Sequence, residues 1–284
     1  MLAQRTGVST SVLRVWEERY GLLTPERSEG GYRLYGPEDE RRVREMVALR
    51  ERGVAAADAA AIVLAGATRV PLADLRSDLV TAMVRYDEAA AHTIIDRALA
   101  THEPIEVVER LFFPCLRTLG VDWESGAITV AQEHHGSGLI RGRMLALAPV
   151  QSPGSGAPVA VLACPTHERH DIGLLALCLV LRLDGWAVTF LGADTPVPSV
   201  VDSALTLDAR LVVLAGTERH MFAAQLEQYA ADLARLPDST SLALGGRAAS
   251  PALAGRYDAV LLANDPFRAA DDLTAIRDRV RSEA

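Results

Sequence analysis

Residues Cys164 to Gly173 read CPTHERHDIG. They follow the apolar run Pro158 to Ala163 (PVAVLA), which reads as a buried parallel strand. They precede Leu174 to Leu183 (LLALCLVLRL), an apolar segment long enough for a helix packed under a sheet. A polar loop between such a strand and helix stands at the carboxyl end of a sheet, where open α/β folds bind ligands. His167, Glu168 and His170 place two imidazoles and an acid in that loop. The same residues also suit an ordinary solvated loop, and the rest of the chain weighs between the two.

Glu168, His170 and Gly173 fit E-x-H-x-x-G, and here the chain resembles the cobalamin-binding domains, whose loop is usually D-x-H-x-x-G. The resemblance implies that His170 ligates cobalt from below and displaces the cofactor's own base. Glu168 would then hold the other ring N–H, fixing the tautomer and making the ligand more basic. Gly173 would let the backbone come close where the loop turns into the helix. Strands are expected at 158–163, 187–191, 210–215, 241–244 and 258–263, with helices between them and a last one near 267–283. That is a flavodoxin-like (Rossmann-like) five-stranded parallel sheet, a domain of residues 157–284. The stretch Gly192 to Pro196 (GADTP), with Gly192 and Asp194, ends the second strand much as in cobalamin domains. Gly245 and Gly246 look like the family's glycine pair beside the cofactor's tail. The family's S-x-L or S-x-V after the third strand is replaced by Ala215-Gly216-Thr217, so Thr217 offers the hydroxyl there.

A chain of 284 residues suggests two or three domains, and 49% apolar residues allow a sizeable core. No run reaches the length of a membrane span, and the opening MLAQRTGVST is not a signal peptide. Cys115, Cys164 and Cys178 are odd in number and form no C-x-x-C, which points to a reducing cytoplasm. The net charge of −8 speaks against nucleic-acid binding until its distribution is seen. Residues 1–64 balance ten arginines against ten acids, and the acidic excess lies wholly beyond them. Every basic residue is arginine, which keeps bidentate phosphate and guanine contacts available.

At the amino end, Thr6-Gly7-Val8-Ser9 is a tight turn with a helix-capping residue. Thr10 to Arg19 (TSVLRVWEER) then forms a helix with Val12, Leu13, Val15 and Trp16 toward a core and Arg14 and Arg19 outward. In Pro25 to Tyr35 (PERSEGGYRLY), Gly30-Gly31 makes a hairpin tip with Tyr32, Arg33 and Tyr35 on the return strand. The run T-G-V-S, L-R-x-W-E-x-R-Y-G-L-L, P-x-R and G-Y-R-L-Y closely resembles the MerR family of transcription regulators. The likeness covers a winged helix-turn-helix of residues 1–65, including a helix pair from Pro37 to about Leu64 that bends at Gly53. It implies DNA contacts by Arg14, Arg19, Arg27, Tyr32 and Arg33.

Residues 66–72 read as a linker. From 73 to 148 the chain reads as a four-helix bundle, with helices at 73–84, 87–100, 104–119 and 128–147 and a break from Gly120 to Gly126. It holds Trp123 and, ten residues on, Glu133-His134. This W-x9-E-H spacing resembles the helical cap over adenosylcobalamin in the CarH/LitR photoreceptor regulators. By themselves these residues equally suit a half-buried core tryptophan and a solvated cluster. In the photoreceptors the residue after this tryptophan is commonly a histidine that ligates cobalt after illumination. Here it is Glu124, with His135 the nearest substitute. Gln151 to Pro158 (QSPGSGAP) is a flexible linker.

The order of the parts, multidomain α followed by α/β, resembles the layout of cobalamin-dependent MerR-type repressors, and that resemblance implies a non-enzymatic, light-responsive repressor. The resemblance implies adenosylcobalamin as cofactor, double-stranded operator DNA as partner, and self-assembly to a dimer or tetramer. Residues 1–36 carry five arginines and four acids, so one head attracts phosphate weakly and several linked heads are needed. Two other readings stay open: a corrinoid-carrying methyltransferase subunit, or a regulator whose sheet domain binds another ligand or a partner protein.

Overall fold

A computed structural model of the chain describes residues 2–27, 32–51, 54–66, 70–147 and 156–283. The chain divides into two units, Met1–Cys115 and Leu116–Ala284.

In the first unit, α1 (Leu2–Thr6) and α2 (Thr10–Tyr20) are joined through Gly7 at φ 72°, and the Ser9 hydroxyl caps α2 by accepting from the Val12 amide. Leu13 and Trp16 are the buried residues of α2, while Val12 and Val15, expected in the core, are exposed. The helical period explains the difference. Leu13, Trp16 and half-buried Tyr20 share one stripe, and Val12, Val15 and Arg19 lie on its flank, turned away from Leu13.

Strands β1 (Glu26–Arg27) and β2 (Arg33–Leu34) pair antiparallel as the expected wing. Its glycine tip at 30–31 and the bend expected at Gly53 lie outside the described residues. Asp39, at the start of α3 (Pro37–Glu51), is buried and accepts from the Thr24 amide on one side of the wing and the Gly36 amide on the other, each at 3.0 Å. One carboxylate thus pins both feet of the hairpin. The unit continues with α4 (Ala56–Gly66), α5 (Leu72–Val84) and α6 (Glu88–Thr101), the last capped by Asp87. Leu2, Leu13, Trp16, Val43, Met46 and Val63 belong to one buried cluster of the amino-terminal head.

Helix α7 (Pro104–Val107) runs through a π-helical turn, Val108–Phe112, into α8 (Phe113–Glu124). The helix expected to stop at 119 passes through Gly120 and ends at Glu124. A glycine inside a helix costs about 1 kcal/mol, too little to break one that buries Cys115 and Leu119. The chain leaves the helix at Gly126, which takes φ 76°. Thr129 and Gln132 then form a reciprocal cap, amide to side chain in both directions, at the start of α9 (Val130–Leu147).

Five parallel strands follow: β3 (Val159–Pro165), β4 (Ala187–Thr195), β5 (Leu211–Ala215), β6 (Ser241–Gly245) and β7 (Val260–Leu261). Their order, β4-β3-β5-β6-β7, is the expected flavodoxin-like one. The crossovers are α10 (Ile172–Leu183), α11 (Val197–Thr206), α12 (Arg219–Gln228) with α13 (Ala230–Leu233), and α14 (Pro251–Arg256). The expected last helix is two, α15 (Pro266–Asp272) and α16 (Thr274–Glu283). Alternate residues of β3 sort the core. Ala160, Leu162 and Cys164 pack with α10, α15 and α16 on one face; Val161 and Ala163 pack with α11 and α12 on the other. Because β3 lies between β4 and β5, the loop after β3 opens at the switch point of the sheet. Residues 151–155 of the expected linker lie outside the described residues, among which no helix is long and apolar enough to cross a membrane.

Candidate functional site

Beyond Pro165 the loop is held in a shape it would not adopt alone. His167 takes φ 70°, unusual for a residue with a side chain. Its amide donates to Asp194 Oδ1 at 2.8 Å, and the Asp194 amide donates back to the Glu168 carbonyl at 2.9 Å. Asp194, expected to contact a cofactor, is therefore engaged in locking the end of β4 to the loop. That end runs on to Thr195, past the expected 191, with a register shift where Gly192 at φ 79° pairs with Ala163.

Glu168 is the hub. Its Oε1 accepts from the His170 amide at 2.9 Å and stands 2.7 Å from His170 Nδ1. Its Oε2 accepts from the Thr217 amide at 2.5 Å and the Thr217 hydroxyl at 2.8 Å. Burial raises the pKa of this carboxyl, but these donors outweigh it and bring the pKa down to about 2. The His170 side chain is 73% exposed while that of Glu168 is 10% exposed. With Nδ1 turned to Glu168, Nε2 is the ring nitrogen presented outward. Beneath, the Cys164 thiol lies 3.8 Å from the His170 carbonyl, and burial pushes that thiol well up, so it is no nucleophile.

Ionised Glu168 contributes stability that is fully present above its ordinary value of 4.5 and is lost as the pH falls toward about 2. Glu168→Gln should flatten the acid limb of the unfolding curve across that window. The check is denaturant unfolding at successive pH values; equal slopes in both proteins would count against the hub.

Three more of the expected positions meet other parts of the chain itself. Thr217, expected to offer a hydroxyl to a cofactor's tail, gives it to Glu168 and lies 3.1 Å from His170 Nδ1. Gly246, at φ 78°, is required by the chain itself, because a Cβ there would overlap the Gly216 carbonyl. At Gly245 a Cβ would stand 3.4 Å from the Leu262 side chain, an ordinary contact. Gly173 differs: it is the second residue of α10, and a Cβ there would meet nothing within 4 Å. Its smallness is not demanded by the chain's own packing.

A pair not foreseen in the sequence adjoins this loop. Asp171, 1% exposed, accepts from Arg141 of α9 at 2.8 and 2.6 Å, one bond to each oxygen. The hint was an acid directly before a long apolar helix, which needs a cation if it turns inward.

Trp123 stands in the last turn of α8, 48% exposed, with exposed Glu124 beside it. Glu133 and His134 are joined in the first turn of α9, Oε2 to Nδ1 at 2.6 Å. In the amino-terminal head, Arg14 and Arg19 are exposed on α2, with the Arg19 guanidinium 5.7 Å from the Tyr20 ring centre. Tyr32 is exposed at the wing, and the Arg27 side chain lies outside the described residues. Arg33, expected to meet phosphate, has its Nε at 2.9 Å from Glu17 of α2, which also raises its pKa. The wing is thereby braced against the helix it flanks.

Residues 1–65 match the MerR HTH family regulatory proteins, and residues 75–147 match the B12 binding domain. The HTH-type transcriptional repressor CarH of Myxococcus xanthus is 34% identical over 223 residues, which is 72% of this chain and 73% of that protein. The HTH-type transcriptional repressor CarA of the same organism is 34% identical over 217 residues, 75% of this chain and 74% of that protein. Among solved structures, the monomethylamine corrinoid protein of Methanosarcina barkeri superposes with a TM-score of 0.56 at 18% identity, covering 74% of this chain and 100% of that one. That last likeness concerns the fold alone. At 34% identity across more than two thirds of each repressor, the chain belongs to the MerR-type transcriptional regulators of the CarH and CarA kind and carries a B12 binding domain behind its HTH head.

Proposed function

We propose that the chain is a cobalamin-dependent transcription regulator in which His170 is the lower ligand of the cofactor. The observation that carries this reading is the Glu168–His170–Thr217 arrangement at the switch point of the sheet. One imidazole nitrogen is fixed by a carboxylate and the other is presented outward, which suits a metal already held in a macrocycle. Gly173 supports the fit, because the space beside it at the start of α10 is open to a ring brought close to the backbone. When bound, adenosylcobalamin would supply a cobalt for His170 to ligate and a cobalt–carbon bond that light can break.

On this reading the chain comprises a DNA-binding domain at 1–65, a helical cap at 73–148 and a cobalamin domain at 157–284. Trp123, Glu133 and His134 would cover the upper face, an indole lying over the adenosyl group and the paired acid and imidazole bonding it. Gly192 would contribute through the shape it gives the end of β4. Operator DNA would be bound by a dimer or tetramer in the dark, and light would release it. The direct test is the visible spectrum of the protein purified after adding adenosylcobalamin, before and after illumination. No retained chromophore would refute the cobalamin reading. Retention without a change on illumination would refute only the light step.

A second reading draws on the dimethylamine corrinoid protein of Methanosarcina barkeri, 22% identical over 142 residues, 49% of this chain and 67% of that protein. A methyl carrier would share the sheet and the helices, but it has no use for the wing and α2. In that head, Arg14 on the exposed face of α2 is assigned to base edges and Arg33 to bracing the wing. Arg14→Ala should weaken operator binding by about 1–3 kcal/mol and relax its sequence preference. Arg33→Ala should weaken binding evenly on all sequences. Gel shifts on operator and scrambled DNA separate the two, and unchanged binding in both variants would count against the winged-helix assignment.

A further inference from the structure

Asp171 holds the N-cap position of α10, yet its side chain does not cap the helix and its backbone is helical at φ −96°, ψ −3°. Both carboxylate oxygens go to Arg141 instead. Burying a carboxylate is costly unless it is paired, and the planar guanidinium supplies two parallel bonds. Around it the space is closed: a Cβ on Gly192 would stand 3.4 Å from Asp171 Oδ2 and 3.3 Å from the Phe190 ring. Its backbone joins loop to helix, the amide donating to the Arg169 carbonyl at 3.1 Å and the carbonyl accepting from the Leu175 amide at 2.8 Å. His170 is the residue immediately before it.

On α9, Arg141 lies about two turns beyond Glu133 and His134, roughly 11 Å of rise. The start of α10 therefore takes its fixed charge partner from the helix whose first turn carries the Glu133–His134 pair. We propose that Arg141 and Asp171 form a clasp that fixes the His170 loop to α9 and makes both of them positioning residues for the His170 imidazole. The clasp sets the loop's place against the helix that bears Glu133 and His134, so movement of one is transmitted to the other.

The proposal rests on the cobalamin reading only for its ligand readout. The full-length chain, Arg141→Met, and the double variant Arg141→Met with Asp171→Asn are compared in two ways. The first is amide hydrogen exchange over residues 168–175 without cofactor; the second is titration with hydroxocobalamin. Arg141→Met leaves an unpaired buried carboxylate and loses stability, whereas the double variant removes that charge and regains much of it. In the regained fold, the segment should still exchange at least about ten-fold faster than wild type. Hydroxocobalamin affinity should fall by about ten-fold to a hundred-fold, the range for groups that orient a metal ligand. Wild-type exchange in a stable double variant would overturn the clasp and leave an ordinary structural ion pair. Should the wild type take up no hydroxocobalamin, the cobalamin reading falls and the exchange result alone decides the clasp.

Discussion

Replacing His170 with alanine is expected to abolish cobalamin binding in the form that displaces the cofactor's own base, with the fold intact. The side chain is largely exposed and its loss opens no core cavity, so stability should be little changed. What disappears is the imidazole whose other nitrogen Glu168 holds. The cost of building it is visible in the left-handed backbone of His167 and in the reciprocal bonds with Asp194. Glu168→Ala should be milder, about ten-fold to a hundred-fold in affinity, because the imidazole remains but loses the acceptor that fixes its tautomer. Thr217→Val should produce a smaller loss in the same direction, because Glu168 Oε2 loses the hydroxyl and keeps only the backbone amide as donor. Titration monitored in the visible spectrum distinguishes these variants. Unchanged uptake and an unchanged spectrum in His170→Ala would remove the lower-ligand assignment.

The second large effect concerns Trp123, Glu133 and His134. Moving an assembly equilibrium from one extreme to the other requires about 5 kcal/mol of differential contact between the two states. An indole laid over an adenosyl group and two hydrogen-bonding side chains can supply that together. Trp123→Ala combined with His134→Ala should therefore leave cobalamin bound through His170 while the dark and illuminated proteins share one assembly state. Mass measurement in the dark and after illumination reads this directly. On the proposed reading, Glu124 shapes the state reached after the light step. It is exposed beside Trp123 and offers a carboxylate where the photoreceptor resemblance implies an imidazole. The illuminated protein should hold its cofactor less firmly than Glu124→His does. A wild-type illuminated spectrum identical to that of Glu124→His would contradict this, as would a double variant that still changes mass on illumination.

The legible parts of this chain are those whose partners are close in sequence. Glu168 and His170 are two residues apart, so their pairing can be read from a local pattern, and β3 to β7 come from apolar runs. Thr217 meets Glu168 across 49 residues, and a resemblance that assigns its hydroxyl to the cofactor cannot show the carboxylate's need for donors. Asp171 and Arg141, 30 residues apart, are hidden for a similar reason: a single acid does not say which way it faces. Val12 and Val15 fit the core by type, as any apolar residue on a short helix does, while the buried stripe is centred on Leu13 and Trp16 and leaves the two valines on its flank. Gly120 marks a break by type alone, and burial on both sides outweighs the small cost of one glycine. Gly246 satisfies a close approach of backbone to backbone that no local pattern reveals.

The central claim is that cofactor held by His170 governs DNA binding by the head. Its most direct test is equilibrium affinity for an operator selected from random DNA, measured in the dark with and without adenosylcobalamin, for wild type and His170→Ala. Linking weakly charged heads should tighten binding by about two to four decades when the cofactor is present. That gain should vanish on illumination and should be absent in His170→Ala. Equal affinity with and without adenosylcobalamin in the wild type would contradict the account.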